Sequence, residues 1–352
     1  MPLKNSAINT QDLSGKWEKR WHPLRREWIV YAAHRNSRPW RGEELKREMV
    51  AREYDPSCYL CPGNPRIHSS VNPDYNSVYV FDNDHPVVGR DAPCIEEASQ
   101  SKHDGLYVRT KATGRARVIC YDPKHNLSLA EMPLNRVVEV FKVWRAEMLA
   151  FAEMEDIHSA LIFENKGKAV GVSNPHPHGQ IYATDFPFKL VEMQREAVSD
   201  YQKLKGRNLF DDILSAEMAD GCRIIAENQY AIAFIPFFAR YAYEAMIFPK
   251  NRHASLVSLN ERELKGMADV FHQLIKRYDK NFKIKFPYVM SFFQAPIDGG
   301  NYEPYQMHIL IQPPLRQVGL LKYLAGPEIG AGNFMADTLP EEKAEELLRV
   351  EL

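Results

Sequence analysis

The spacing of apolar residues changes period along the chain, and each change marks an element. In "SVYVFDND", Ser77 to Asp84, apolar and polar residues alternate as in a half-buried strand. "ARVICYD" reads the same way and runs into a turn at Pro123, followed by "HNLSLAEM". Val137, Val138, Val140, Phe141, Trp144, Met148 and Phe151 then recur at helical spacing and predict a long amphipathic helix. "IHSALIFENKG" and "HPHGQIYAT" follow as two more strands.

The same order returns further on. "QYAIAFIPFFA" and "YEAMIFPKNRHASLVSL" supply strands, and Leu264, Met267, Val270, Phe271, Leu274 and Tyr278 line one face of a helix. Asn260 with Glu263 three residues on predicts its cap. "FPYVMSFFQAP" and "YQMHILIQPP" close the second pass. Strand, strand, long helix, strand, strand occurs twice, so the pattern predicts a duplicated α+β unit with mainly antiparallel sheet and long helices packed on it. The halves are placed at 1–190 and 191–352. Phe186 to Gly221 reads as a charged, helical connector. After the Gly-rich "AGPEIGAGNF", the terminal "LPEEKAEELLRVEL" reads as a surface helix with Glu-to-Lys pairing.

Composition narrows the class. The 352 residues are 45% apolar and 26% charged, ordinary for a globular protein with a real core. Lys+Arg at 45 against Asp+Glu at 46 gives no basic excess for general nucleic-acid binding. No apolar run is long enough to cross a bilayer, and the polar first residues lack the stretch of a signal peptide. The expectation is a cytoplasmic protein.

Of the five cysteines, only Cys58 and Cys61 are patterned, as Cys58-Tyr-Leu-Cys61. Such a pair is two structural cysteines, a redox site or half of a metal clip. A metal needs further ligands, and His125 in "YDPKHN" and His176 are the candidates. Two thiolates and two imidazoles suit tetrahedral zinc, and four protein ligands make such a site structural.

His176 and His178 flank Pro177, which holds the segment extended and presents the two imidazoles at fixed spacing. Two metal ligands, two bases, or one of each remain open on that pattern alone. Around His178 stand Gly179, for close backbone approach, and Gln180, with amide donors. Ser173 and Asn174 lie just upstream, and Asn165 is near. A histidine among neutral donors suits attack on phosphorus, because such donors stabilise charge on the non-bridging oxygens. No Walker-type or Asp-x-Asp loop stands next to His178 in the sequence to hold magnesium. Arg35 and Arg38 in "AAHRNSRPW" are either a solvated loop or a phosphate clamp.

The blocks "FENKGKAVGVSNPHPHGQ", "HRNSRPWRG", "DPSCYLCPGNPRI" with "NPDY" and "YVFDND", "RVICYDPKH" and "PPLRQVGLLKYLAGPE" occur in order along nearly the whole chain. Together they resemble the galactose-1-phosphate uridylyltransferase family, a branch of the histidine-triad superfamily. The resemblance implies two histidine-triad-like half-barrel units. It also implies a double displacement in which His178 takes the uridylyl group of UDP-glucose and passes it to galactose 1-phosphate. Gln180, Ser173 and Asn165 would serve the phosphoryl group, and Arg35 and Arg38 would approach the phosphates. Ile67, Phe81, Asn83 and Asp84 would surround the uridine, while Lys322 and Glu328 would reach a hexose across a homodimer interface. Cys58, Cys61, His125 and His176 match the zinc ligands, so one imidazole is a ligand and the other the nucleophile.

Two departures from the family pattern stand out. Some members hold a second metal on one glutamate and three histidines. Here Glu196 matches the glutamate and His308 one histidine, but Phe293 and Leu310 fill the other positions, so no second metal is expected. A glutamine expected soon after Glu328 is replaced by Asn333 or Phe334, which bears on the identity of the hexose. Two other readings are a related nucleotidyltransferase, phosphorylase or hydrolase of the superfamily, and a zinc-stapled binding protein without turnover. Gln180 in place of a third histidine favours transfer over hydrolysis.

Overall fold

The repeated strand-helix rhythm builds one nine-stranded sheet to which both halves contribute. The computed structural model describes residues 17–33, 52–67, 70–96, 101–317 and 319–352. The strands in chain order begin with a hairpin, β1 (Trp17–His22) and β2 (Glu27–Ala32). Then come β3 (Tyr79–Asp82), the small hairpin β4 (Ser101–Lys102) and β5 (Tyr107–Val108), and β6 (Gly114–Cys120). After helix α1 (Leu134–Ala152) follow β7 (Ser159–Lys166) and β8 (His178–Thr184). Helices α2 (Lys189–Lys205) and α3 (Leu209–Asp220) form the connector, as the sequence predicts. The second half holds β9 (Ile224–Glu227), β10 (Ala231–Phe234), β11 (Ala245–Pro249), α4 (Glu261–Phe282), β12 (Tyr288–Phe293) and β13 (His308–Gln312). The tail adds β14 (Leu315–Gln317), β15 (Leu320–Leu321), β16 (Met335–Ala336) and α5 (Pro340–Leu348).

The order across the large sheet is β3-β6-β8-β7-β12-β13-β11-β10-β9, every neighbouring pair antiparallel. Read outward from the β7–β12 seam, the two sides are mirror lists: β7, β8, β6, β3 against β12, β13, β11, β10. At the seam Phe163 pairs with Ser291, and each lies at the corresponding place in its own half. The nucleophile candidate His178 opens β8, and His308 opens β13 in the same place.

One face of the sheet is covered by α1 and α4, whose apolar stripes meet where Phe141 packs on Phe271, ring centres 5.6 Å apart. The cap of α4 forms as the sequence predicts. Asn260 accepts from the Arg262 and Glu263 amides, and Glu263 accepts back from the Asn260 amide at 3.1 Å. The other face differs between the halves. In the second half Leu24 and residues of α2 and α3, among them Val198 and Phe210, bury it. Asn208 caps α3, and Gly206 and Gly221 end α2 and α3 with φ of 69° and 70°, so the connector folds tightly. In the first half the corresponding face is where the candidate site lies.

One expectation changes, and one element goes unanticipated. The terminal helix is not a surface helix, because Pro340, Glu341, Lys343, Ala344 and Leu347 are buried. Its Glu341 accepts from Arg20 and from Arg223, each at 2.9 Å, inside the protein. The Glu-rich sequence therefore marks a buried ion cluster as well as solvated pairs such as Arg349 with Glu345. The hairpin β1–β2 and its parallel partner β16 do not stand out from hydrophobic period, since Trp17, Trp21 and Trp28 point to its exposed face.

Candidate active site and metal centre

Two buried asparagines fold the Cys58–Cys61 turn. Asn64 Nδ2 donates to the carbonyls of Asp55 and Cys58, and Asn72 Nδ2 to those of Tyr59 and Cys61, all at 2.9 Å. The turn is met by His125, whose amide donates to Glu53 O at 2.8 Å, and by His176, whose amide donates to Asn174 Oδ1 at 3.0 Å. The ligating atoms of Cys58, Cys61, His125 and His176 all lie within 4.8 Å of one another, and all four residues are buried.

The donor set fits a metal ion. Tyr75 Oη gives its proton to Leu60 O at 2.5 Å, so towards His176 Nε2, 3.0 Å away, it accepts. His176 then carries its proton on Nε2 and turns the Nδ1 lone pair to the sulfur side, 3.6 Å from Cys61 Sγ. Cys58 Sγ accepts from the Leu60 amide and from Asn174 Nδ2, each at 3.3 Å, contacts that favour a thiolate. Burial pushes the Cys61 thiol up to about 12. Burial, with His125 and His178 nearby, pushes His176 down to about 3. A cation at the centre would turn the thiols to ligating thiolates and use the neutral imidazoles as they stand. Asn174, which the sequence offers as a phosphoryl donor, has both ends of its amide engaged here and braces the metal group instead.

His178 begins where that brace ends. Its Nδ1 lies 2.7 Å from the carbonyl oxygen of His176. A carbonyl only accepts, so Nδ1 holds the proton and Nε2 the lone pair. Burial lowers the pKa of the ring and keeps it neutral. The next residue must be glycine for a packing reason: a Cβ on Gly179 would stand 2.0 Å from Tyr121 Oη and 3.0 Å from Phe163 O. Pro177 is held as well, its carbonyl accepting from the Tyr121 amide at 2.9 Å.

His178, Gln180, Ser173 and Asn165 line one cavity, together with Tyr59, Phe163, Gly171, Val172, Asn174 and Gly179. Asn83 adjoins it, donating from Nδ2 to Gln180 Oε1 at 3.2 Å. Phe81 lies in the same row of the sheet, opposite Val118, which is opposite Gln180. Arg66 covers Phe81 at 4.0 Å and approaches Asp84 at 3.5 Å, while Ile67 beside it is exposed. Lys322 and Glu328 do not line the cavity. They pair with each other at 2.8 Å, and Lys322 also donates to Met335 O. Phe334 is wholly buried with Ile29, Tyr31 and Leu339, whereas Asn333 is exposed. Arg35 and Arg38 lie outside the described residues. Sequence reasoning missed Tyr59, although its place between the two cysteines signals it. It also missed Asn64, Asn72 and Tyr182, whose hydrogen bonds depend on how the local chain folds, and Tyr75, whose contact with His176 is remote in sequence.

The second metal centre offered by the resemblance does not fit. Glu196 is on the exposed side of α2, 3.6 Å from Arg26, and does not face His308; the residue that does is Gln194. His308 is sandwiched between Phe248 and Phe293, ring centres 5.0 and 5.2 Å away. Its Nδ1 donates to Gln306 O at 3.0 Å, and its Nε2 accepts from Gln194 Nε2 at 3.3 Å. Both ring nitrogens are used, and no lone pair is left for a metal.

Comparison with known proteins agrees with this geometry. Residues 6–187 match the model of the galactose-1-phosphate uridyl transferase N-terminal domain, and residues 192–352 that of the C-terminal domain. A galactose-1-phosphate uridylyltransferase of Haemophilus influenzae is 36% identical, covering 94% of this chain and 93% of its own. One of Saccharomyces cerevisiae is 33% identical, with 96% and 95% covered. A solved uridylyltransferase superposes with a TM-score of 0.74 at 27% identity, over 94% of this chain and 97% of the other. An ADP-glucose phosphorylase of Arabidopsis thaliana shares the fold, with a TM-score of 0.75 at 20% identity over 96% of this chain and 100% of its own. With both domain models matched in order and relatives aligned over nearly its full length, the chain belongs to the galactose-1-phosphate uridylyltransferase family.

Proposed function

We propose that the protein transfers the uridylyl group of UDP-glucose to galactose 1-phosphate through a covalent uridylyl-histidine. The observation that carries this is the state of His178: its Nδ1 is tied to the His176 carbonyl, which leaves the lone pair on Nε2, and the residue lines a cavity shared with Gln180 and Ser173. Nε2 attacks the α-phosphorus, forming a P–N bond as the P–O bond to glucose 1-phosphate breaks. The leaving group departs as a phosphate and needs no proton. The ring becomes a positively charged imidazolium, and the His176 carbonyl on Nδ1–H stabilises it. A phosphate oxygen of galactose 1-phosphate then attacks phosphorus, the P–N bond breaks, and neutral imidazole returns. Gln180 and Ser173 donate to the non-bridging oxygens in both steps. Arg35 and Arg38 neutralise the phosphates, and Ile67, Phe81, Asn83 and Asp84 wall the uridine.

Zinc is the metal proposed for Cys58, Cys61, His125 and His176, since two thiolates with two imidazoles suit it. When bound, it supplies a structural cross-link among the Cys58–Cys61 turn, the His125 turn and the segment that leads into His178. The mirrored strand order and the two domain matches support reading 1–190 and 191–352 as two histidine-triad-like units. A homodimer brings Lys322 and Glu328 of one subunit to the hexose of the other, and the unpaired cysteines suit the cytoplasm.

Initial-rate kinetics test this reading. Double displacement gives parallel lines when UDP-glucose is varied at several galactose 1-phosphate concentrations. Intersecting lines contradict it, and faster turnover of ADP-glucose than UDP-glucose contradicts the nucleotide.

A further inference from the structure

A carboxamide has two ends, and only one of them helps a phosphoryl group: the nitrogen donates, while the oxygen repels anionic oxygens. What decides which end of Gln180 faces the cavity is visible in its neighbours. Gln180 Oε1 lies 3.2 Å from Asn83 Nδ2 and 3.3 Å from Tyr182 Oη. The orientation of Asn83 is set in turn by a group that can only donate, the backbone amide of His85, 2.8 Å from Asn83 Oδ1. Nδ2 must therefore be the end that Asn83 turns to Gln180. The ring of Tyr182 packs edge-on against Phe163, ring centres 4.8 Å apart at 77°, which aims its hydroxyl. Burial raises the pKa of that phenol and keeps its proton available for donation.

We infer that Tyr182 is a positioning residue which, with Asn83, locks the Gln180 carboxamide so that Nε2 faces the phosphoryl group beside His178. The inference rests on Gln180 acting as a phosphoryl donor. Asn83 makes the inverted amide unfavourable, because inversion would set Nε2 against its Nδ2, and the Tyr182 hydroxyl adds a second hydrogen bond that holds the oxygen so selected. Asn83 thus belongs to the reaction centre as well as to the proposed uridine wall.

A double-mutant cycle tests this, read as the single-turnover rate of UDP-glucose consumption together with UDP-glucose affinity. Tyr182→Phe removes the hydroxyl and keeps the ring on Phe163. It is expected to slow the single turnover about three- to tenfold while changing affinity less than about twofold. In a Gln180→Ala background Tyr182→Phe is expected to have no further effect. Asn83→Asp puts acceptors against Oε1, inverts the amide and brings the rate down to that of Gln180→Ala. The same slowing by Tyr182→Phe in both backgrounds, or none in either, overturns the positioning role and leaves Gln180 standing as a donor. A Gln180→Ala protein as fast as the parent overturns the reading of Gln180 itself. Melting temperatures of the variants show whether a slow one is merely unfolded.

Discussion

Nδ1 of His178 lies 2.7 Å from the carbonyl oxygen of His176, whose own ring sits among the metal-ligating groups. The proposed nucleophile is thus oriented by the backbone of a candidate metal ligand. In the other half Nδ1 of His308 meets the carbonyl of Gln306, also two residues upstream, at 3.0 Å. The two rings share the Nδ1 contact and differ in surroundings: Gln194 meets Nε2 of His308, whereas His178 lines the cavity. Phe293, directly opposite His308 on β12, and the covering helices α2 and α3 complete that filling.

Metal retention should depend on Asn174. Its Nδ2 donates to Cys58 Sγ and its Oδ1 accepts from the His176 amide. Asn174→Ala is expected to weaken metal retention by about 10- to 100-fold, measured by competition with a chromogenic chelator. Retention equal to the parent's would show that these contacts do not tune the site.

The acid limb of uridylylation should lie below about 6.5, the ordinary imidazole value, because burial depresses His178. Single-turnover rate against pH reads this directly. A limb centred above 7 would mean that the ring is protonated more readily than its burial allows.

Folding stability should fall in mild acid, and His308 contributes to the fall. Burial lowers it to about 4, so between about 6.5 and 4 the unfolded chain binds a proton that the folded chain does not. Its contribution is fully present above the unfolded value and is lost as pH falls, by at most about 3 kcal/mol. His308→Gln should flatten the slope of stability against pH in that range, as denaturant titrations at several pH values would show.

Gly179→Ala should destabilise the protein by about 1–3 kcal/mol, because a Cβ there meets Tyr121 Oη at 2.0 Å and the Phe163 carbonyl at 3.0 Å. Tyr121→Phe should relieve part of that cost in the double variant. Additive melting shifts would place the clash elsewhere.

Much of this was legible in the sequence, for local reasons. The α4 cap, the paired rhythm of strands and helices and the Cys58–Cys61 pair each rest on short-range pattern, whereas His125 and His176 joined that pair through the family resemblance. The terminal helix was misread because Glu341 looks like any solvated glutamate until Arg20 and Arg223 converge on it from remote segments. Glu196 misled in a similar way: helical phase puts Gln194, two residues earlier, on the face towards His308. The Asn83 contact to Gln180 needs the β3–β6 and β6–β8 registers and the turn after β3.

The central claim is that His178 carries the uridylyl group. The most direct measurement mixes stoichiometric protein with UDP-glucose labelled in the uridylyl moiety, alongside His178→Gly. The account predicts acid-labile label on the parent with release of glucose 1-phosphate, and chase of that label into UDP-galactose by galactose 1-phosphate. It predicts no label on a folded, metal-bearing His178→Gly protein, whose transfer rate should fall by more than about 10⁴-fold. Label on the variant, or steady turnover by the parent without any labelled protein, would contradict it.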